Sequence, residues 1–100
     1  MRKNLYTQAN YILENFDFER VQKVMQFLDW KWGEPTVPSI EQIRSTANHM
    51  MQMAISESAR QPDRDTFVGT GGFCAHVYRF NGGDVLELNF SIANYSGGVA

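Results

Sequence analysis

The apolar residues of this chain change their spacing once, and that change restricts the folds open to it. Up to Ala59 they recur every three or four positions, as on one face of a helix. From Phe73 onward they alternate with polar residues, as in half-buried strands, and the segment 81–84 (Asn-Gly-Gly-Asp) divides the alternating stretch in two. We therefore predict an α+β fold, with two to three N-terminal helices packed on a C-terminal antiparallel β-hairpin or small sheet.

The first two helices are predicted from separate apolar stripes. The stripe of the first helix, which should end around Asn15, consists of Leu5, Ala9, Ile12, Leu13 and Phe16. Asp17 follows, and its carboxylate suits the free amides of a new first turn. We predict that Asp17 caps a second, amphipathic helix that runs to about Trp30.

The third helix is predicted from its start signal. Ser39 and Gln42 have the spacing of a capping box, in which each side chain satisfies a backbone amide of the other residue. The helical pattern after them fades near Ala59. The preceding segment, from Trp32 to Pro38, contains Gly33 and two prolines, and it is predicted to be an ordered loop.

The hairpin strands are predicted to run from Phe73 to Phe80 and from Val85 to Ala93. A two-residue loop at Gly82-Gly83 places Phe80 opposite Val85, and the other pairs follow with period two. One face then collects the apolar residues that must pack on the helices. The opposite, amphiphilic face collects Cys74, His76, Tyr78, Phe80, Val85, Glu87, Asn89 and Ser91.

Such a hairpin has two open edges with unpaired amides and carbonyls. Two solutions to this problem stay open from the sequence. A short third strand from Thr66 to Val68 would cover one edge. Pairing with a second copy of the chain, as a homodimer or higher homo-oligomer, would also do so.

Size and charge restrict the classes of function. The 100 residues suffice for a single domain, 1–100, with one core. A net charge of -2 and a pI near 5.6 argue against DNA as a partner, since DNA binding requires a basic surface. No apolar run approaches the roughly 20 residues that span a bilayer. With no secretory signal evident and a single cysteine, we expect a protein of a reducing cytoplasm, without a membrane partner.

Catalytic and metal-binding patterns are weak. Cys74 and His76 share a strand face, as a thiol nucleophile and its base would, but the strand rise holds residues two apart about 7 Å from each other. A small cysteine hydrolase is therefore the least favoured hypothesis. Two histidines and one cysteine without paired spacing predict no metal site, and no cofactor motif is present in the sequence.

Several residues suit binding. Aromatic planes stack on flat ligands or anchor interfaces, and guanidinium groups bind phosphates. The candidate binding residues are Trp30, Trp32, Arg64, Thr70, His76, Tyr78 and Arg79.

Five short segments between Asp17 and Phe90 carry a further signal: Asp17-Phe18-Glu19-Arg20-Val21, Val24-Met25, Leu28-Asp29-Trp30-Lys31-Trp32, Val37-Pro38-Ser39 and Gly71-Gly72-Phe73. Together they resemble small proteins encoded in phage and prophage genomes, a group without an assigned activity. The resemblance implies a viral accessory protein in the cytoplasm of a bacterial host. It carries over no catalytic residue.

Three functional hypotheses follow. The first is a non-enzymatic phage accessory protein that counters bacterial immunity by binding, for example by sequestering a small nucleotide-like immune signal. The second is a protein-interaction module whose outer sheet face or open edge inhibits a host defence protein. The third is the cysteine hydrolase. No catalytic residues are predicted under the first two.

Overall fold

Three helices precede a three-stranded antiparallel sheet in the computed structural model. It describes residues 4–32, 38–70 and 72–92, with backbone alone at 27–32 and 70. The elements are, in chain order, α1 (Leu5–Asn15), α2 (Phe18–Trp32), α3 (Ile40–Arg60), β1 (Thr66–Thr70), β2 (Phe73–Phe80) and β3 (Val85–Ile92). The strands lie in the order β1-β2-β3. The predicted α+β fold is confirmed.

Side chains cap the helices where the sequence placed the start signals. The Asp17 carboxylate accepts from the Arg20 amide at 3.0 Å, in the first turn of α2. The Ser39 hydroxyl accepts from the Gln42 amide at 3.1 Å, and the Gln42 side-chain oxygen accepts from the Ser39 amide at 2.8 Å. Both predicted caps are confirmed. They satisfy amides that have no partner within the helix.

Helix ends differ slightly from the predictions. α2 continues to Trp32, two residues beyond the predicted end, so Trp32 belongs to the helix and not to the following loop. α3 ends at Arg60, one residue beyond the prediction. The rest of the predicted loop lies mostly outside the described residues, since positions 33–37 are among those not described.

The hairpin has the predicted register but a different turn. Phe80 pairs with Val85, and the ladder continues to Phe73 opposite Ile92. Residues 81–83 form a turn in which all three φ angles are positive, at 51°, 72° and 95°, and Asp84 completes a four-residue connection. The predicted positive φ angles of Gly82 and Gly83 are confirmed, and the Asp84 amide donates to the Asn81 carbonyl at 3.5 Å across them. Asn81 and Asp84 do not continue the ladder, however, as a two-residue loop would require. Asparagine tolerates the left-handed region better than most residues, which lets position 81 join the turn.

The third strand is present and longer than predicted. β1 extends to Thr70 and pairs with β2 from Thr66 opposite Val77 to Thr70 opposite Phe73. It covers the edge of β2, which is one of the two solutions left open by the sequence. The last predicted residue of β3, at position 93, lies outside the described residues.

The helices cover one face of the sheet, here called the inner face. α3 lies across β1 and β2, α1 packs on β3 and α3, and α2 packs on α3. The buried apolar residues between them are Ala9, Phe18, Val21, Met25, Ile43, Ala47, Met50, Met51, Ala54, Ile55, Ala75, Val77, Leu86, Leu88, Phe90 and Ile92. Their burial supplies the main stabilisation of the fold. The opposite, outer face presents Phe67, Phe80 and Val85 to solvent.

Candidate functional site

Four ring side chains run diagonally across the outer face, and we call them the aromatic strip: Phe67, His76, Tyr78 and Phe80. Three of them follow each other on β2 at every second position, because side chains of a strand alternate between faces. Phe67 joins them from β1, since it pairs directly with His76. The strip therefore depends on the β1–β2 register as well as on the alternation within β2.

The rings of the strip contact one another in series. Phe67 meets His76 edge-on, with ring centroids 5.7 Å apart, and His76 stacks on Tyr78 at 3.8 Å. The Tyr78 and Phe80 rings are nearly parallel at 6.2 Å. Phe67 and Phe80, at the two ends, are 63% and 44% exposed. The strip thus offers a preformed apolar surface whose rings hold one another in place.

Acidic groups flank the strip. The Asp65 carboxylate lies 3.9 Å from the His76 ring nitrogen Nε2 and also accepts from the Arg79 amide at 2.9 Å. Glu87 pairs with Tyr78 across the strands and is exposed. Among the described residues whose side chains lie on the outer face, none is lysine or arginine. The surface around the rings is therefore apolar with an acidic border.

Cys74 and His76 have separate partners. The Cys74 thiol lies 2.7 Å from the Ser91 hydroxyl across the strands, and either group can donate. The imidazole of His76 stacks on Tyr78 and faces Asp65. The thiol and imidazole are thus each engaged with a different neighbour, as the strand spacing of two residues favours.

Two of the candidate binding residues, Arg64 and Arg79, lie apart from the strip. The Arg79 guanidinium donates to the Ser58 carbonyl, to the Ser58 hydroxyl at 2.8 Å and, through Nε, to the Arg64 carbonyl at 3.0 Å. It joins the end of α3 to the loop before β1. The Arg64 side chain is exposed in that loop. The structure therefore brings His76 and Tyr78 together and uses Arg79 on the other side of the sheet.

The remaining candidates lie where side chains are not described. Trp30 and Trp32 belong to the last turn of α2, and Thr70 is the final residue of β1. Their predicted roles stay predictions.

An open groove of about 660 Å³ lies between the start of α1 and the end of α3. Its one charged lining residue among those described is Arg79, whose donors already have three oxygen acceptors. Leu5, Tyr6, Ile55 and Pro62 contribute neutral walls. The Nε and Nη2 groups of Arg79 are therefore engaged by oxygens of the protein itself.

Phe67 is the residue of the strip that the sequence candidates omitted. It is one of the most exposed large apolar side chains in the described chain. The sequence signal for Phe67 was the alternation Thr66-Phe67-Val68. It predicted a short strand but did not show which residues of the hairpin that strand would pair with. Only the pairing of β1 with β2 places the phenyl ring beside His76.

Comparisons of the chain with protein-family models, curated proteins and solved structures find no match. In the described ranges, no group of three or more His, Cys, Asp or Glu residues is placed to hold a metal ion. None of the described helices has the length and apolar character needed to cross a membrane.

Proposed function

We propose that this chain acts by binding another protein through the aromatic strip. The observation that carries the proposal is the series of ring contacts from Phe67 to Phe80, exposed at both ends on a solvent-facing sheet surface. Exposed, mutually supported aromatic side chains are typical anchors of protein interfaces. Their order before binding also limits the entropy lost on association.

The acidic border indicates the chemistry of the partner. Asp65 and Glu87 flank the rings, and no described lysine or arginine side chain shares the outer face. A complementary surface would offer an apolar patch with lysine or arginine at its rim. A nucleic acid would instead bring negatively charged phosphates towards these carboxylates. No described lysine or arginine on this face would neutralise the phosphate charge. A protein partner with a basic rim is therefore the better fit.

The setting that we propose is phage counter-defence, with a host defence protein as the partner in the bacterial cytoplasm. It rests on the resemblance of the segments between Asp17 and Phe90 to phage-encoded proteins. A binding role without catalysis agrees with the separate engagement of Cys74 and His76.

Sequestration of a nucleotide-derived signal is the second candidate. The stacked rings of His76 and Tyr78 favour it, because any base has a π-face that stacks on an aromatic side chain. Phosphate recognition has less support, since Arg79 donates to oxygens of the protein itself. Free small-molecule binding therefore ranks below protein binding.

The test is affinity capture from bacterial lysate with matched variants. Tyr78→Ala removes the centre of the strip, and Phe80→Thr removes one exposed end while keeping a good strand former. Tyr11→Ala is the control, because Tyr11 is an aromatic residue on α1, away from the strip, and at 66% it is more exposed than Phe80. We expect a protein that the wild type and the control retain, and that both strip variants lose by about tenfold or more.

Further readouts separate the two candidates. Glu87→Lys should weaken protein capture, because it places a cation against the basic rim of the partner. Native mass spectrometry of the purified chain reports any nucleotide-sized adduct. An adduct that Tyr78→Ala removes would favour the signal-binding function instead. Protein capture that is unaffected by both strip variants would refute the proposed surface.

A further inference from the structure

The two edges of the sheet differ in their hydrogen bonding. The side-chain nitrogen of Gln8 donates to the Leu86 carbonyl at 3.0 Å, and its oxygen accepts from the Leu88 amide at 2.8 Å. This side chain therefore pairs two backbone groups on the free edge of β3, as one step of a neighbouring strand would. At the opposite end of the sheet, no described residue pairs with the outer edge of β1.

β1 lacks the features by which edge strands usually avoid pairing. Its sequence, Thr-Phe-Val-Gly-Thr over 66–70, contains no charged residue and no proline. Soluble proteins commonly protect open edges with lysine, proline or a bulge. An uncharged edge with an exposed phenyl group beside it is suited to receive another strand.

Helix α3 runs beside this edge and shares a groove with it. The groove has a volume of about 370 Å³, and its lining includes His49, Met53, Glu57 and Val68. Met53, 45% exposed, lies midway in the sequence between His49 and Glu57. Val68 is the middle residue of β1. The centre of the strand edge and the centre of this helix face therefore lie at the same groove.

We infer that β1 pairs antiparallel with β1 of a second copy of this chain, about a two-fold axis that passes by Val68 and Met53. The result is a continuous six-stranded sheet with both α3 helices on one side. Strands lie about 4.8 Å apart, and α3 lies over β1 and β2, so the two α3 axes would be roughly 10 Å apart. That separation matches packed helices.

The surfaces brought together are self-complementary. Antiparallel α3 helices centred on Met53 place His49 opposite Glu57 of the second copy, and the symmetry repeats the pair. The Glu57 carboxylate already contacts Arg60 at 3.0 Å and Gln61 at 3.2 Å, but a carboxylate has capacity for a further donor. On the outer face, each Phe67 ring already lies over Gly69 of its own strand, so pairing of Phe67 with Gly69 of the second copy brings the two phenyl rings together at the axis.

The dimer would also join the two aromatic strips. Phe67 is the strip residue on β1, so the strips of both copies would meet at the axis and form one surface across six strands. This consequence rests on the proposed function, whereas the dimer itself rests on the edge, the groove and the charges. Variants of α3 therefore test the dimer without changing the outer face.

Sedimentation analysis and light scattering of the full chain test the inference over the micromolar range. We expect wild type at twice the 11.4 kDa monomer mass at high concentration. Met53→Glu sets two carboxylates against each other at the axis and should raise the dissociation constant by roughly a hundredfold. Asn48→Glu is the control, because Asn48 is an exposed residue turned about 140° away around α3. It should leave the dimer intact.

A charge reversal tests the assigned axis. His49→Glu alone should weaken the dimer, because two carboxylates then face each other, and adding Glu57→Lys should restore it. Circular dichroism confirms that each variant is folded. A wild-type chain that stays monomeric at high concentration overturns the inference, as does a dimer indifferent to Met53→Glu or a double variant that is not restored. Loss of partner capture by Tyr78→Ala with the dimer intact would show that the two proposals stand separately.

Discussion

Arg79 shows how packing decides the role of a single residue. A guanidinium group is a good phosphate ligand, which made Arg79 a candidate binding residue from the sequence. In the fold it donates to the carbonyl and hydroxyl of Ser58 and to the carbonyl of Arg64. The carbonyls of a last helical turn lack the amide donors of the helix interior, and the Ser58 carbonyl accepts from the Gln61 amide as well as from Arg79. A cation there also interacts favourably with the helix dipole. Arg79 is thus suited to hold α3 and the following loop together.

Arg79→Lys should lower the free energy of unfolding by about 1–2 kcal/mol, because lysine keeps the charge but loses the planar fork that reaches several oxygens. Urea denaturation followed by circular dichroism measures the change. Arg64→Ala is the matched control, since it removes an exposed side chain and keeps the carbonyl that Arg79 contacts. It should change stability by less than about 0.5 kcal/mol. Equal stability of Arg79→Lys and wild type would contradict this role.

At the scale of elements, a side chain of helix α1 forms hydrogen bonds with the free edge of the sheet. α1 packs on β3, and this position directs the Gln8 amide towards the free edge of the strand. Both backbone groups that Gln8 contacts are thereby paired in a half-buried setting. An amide side chain holds an N–H donor and a carbonyl acceptor at the spacing of a peptide group, so it can replace one step of a ladder.

Gln8→Ala should destabilise the protein by about 1–3 kcal/mol, since it leaves the Leu86 carbonyl and the Leu88 amide without their partners. Hydrogen exchange provides the specific readout: the Leu88 amide should exchange faster in the variant. Asn10→Ala, at an exposed position of the same helix, is the control for an amide-to-alanine change. If the exchange of Leu88 is the same in Gln8→Ala and wild type, the side chain does not protect this edge.

At the scale of the whole molecule, the fold leaves one sheet face and one sheet edge without cover from the described residues. The two proposals assign different occupants to them, a basic-rimmed protein to the outer face and a second copy to the β1 edge. Phe67 belongs to the aromatic strip and lies on β1, so it would take part in both partner binding and self-association.

Self-association predicts a stability that depends on protein concentration. Mass action stabilises a folded dimer against unfolded monomers, so the Tm of wild type should rise with concentration. Met53→Glu should abolish most of this rise, and Asn48→Glu should preserve it. Differential scanning calorimetry at several concentrations measures the effect. A wild-type Tm that is constant across the concentration range would contradict the dimer. It would not bear on the proposed binding of a protein partner by the aromatic strip.

The sequence alone could predict much of the fold and part of the candidate site. The capping box at Ser39 and the cap at Asp17 are formed with residues three positions away, so they could be predicted from the sequence. The alternation along β2 likewise placed His76 and Tyr78 on one face. The hairpin register followed from the same alternation and the position of the turn, although Asn81 adopts a left-handed conformation that the predicted two-residue loop did not include.

What the sequence determined by itself are features whose partners lie within a few residues: helix stripes, caps, strand alternation and register. The tertiary structure alone decided the contacts between distant residues. Gln8 and Leu86 are 78 positions apart, and Arg79 and Ser58 are 21 apart. The position of Phe67 in the strip likewise required the pairing of β1 with β2. The physical reason is that local patterns restrict backbone conformation and burial, whereas the choice of a distant partner is made only when the helices and sheet pack together.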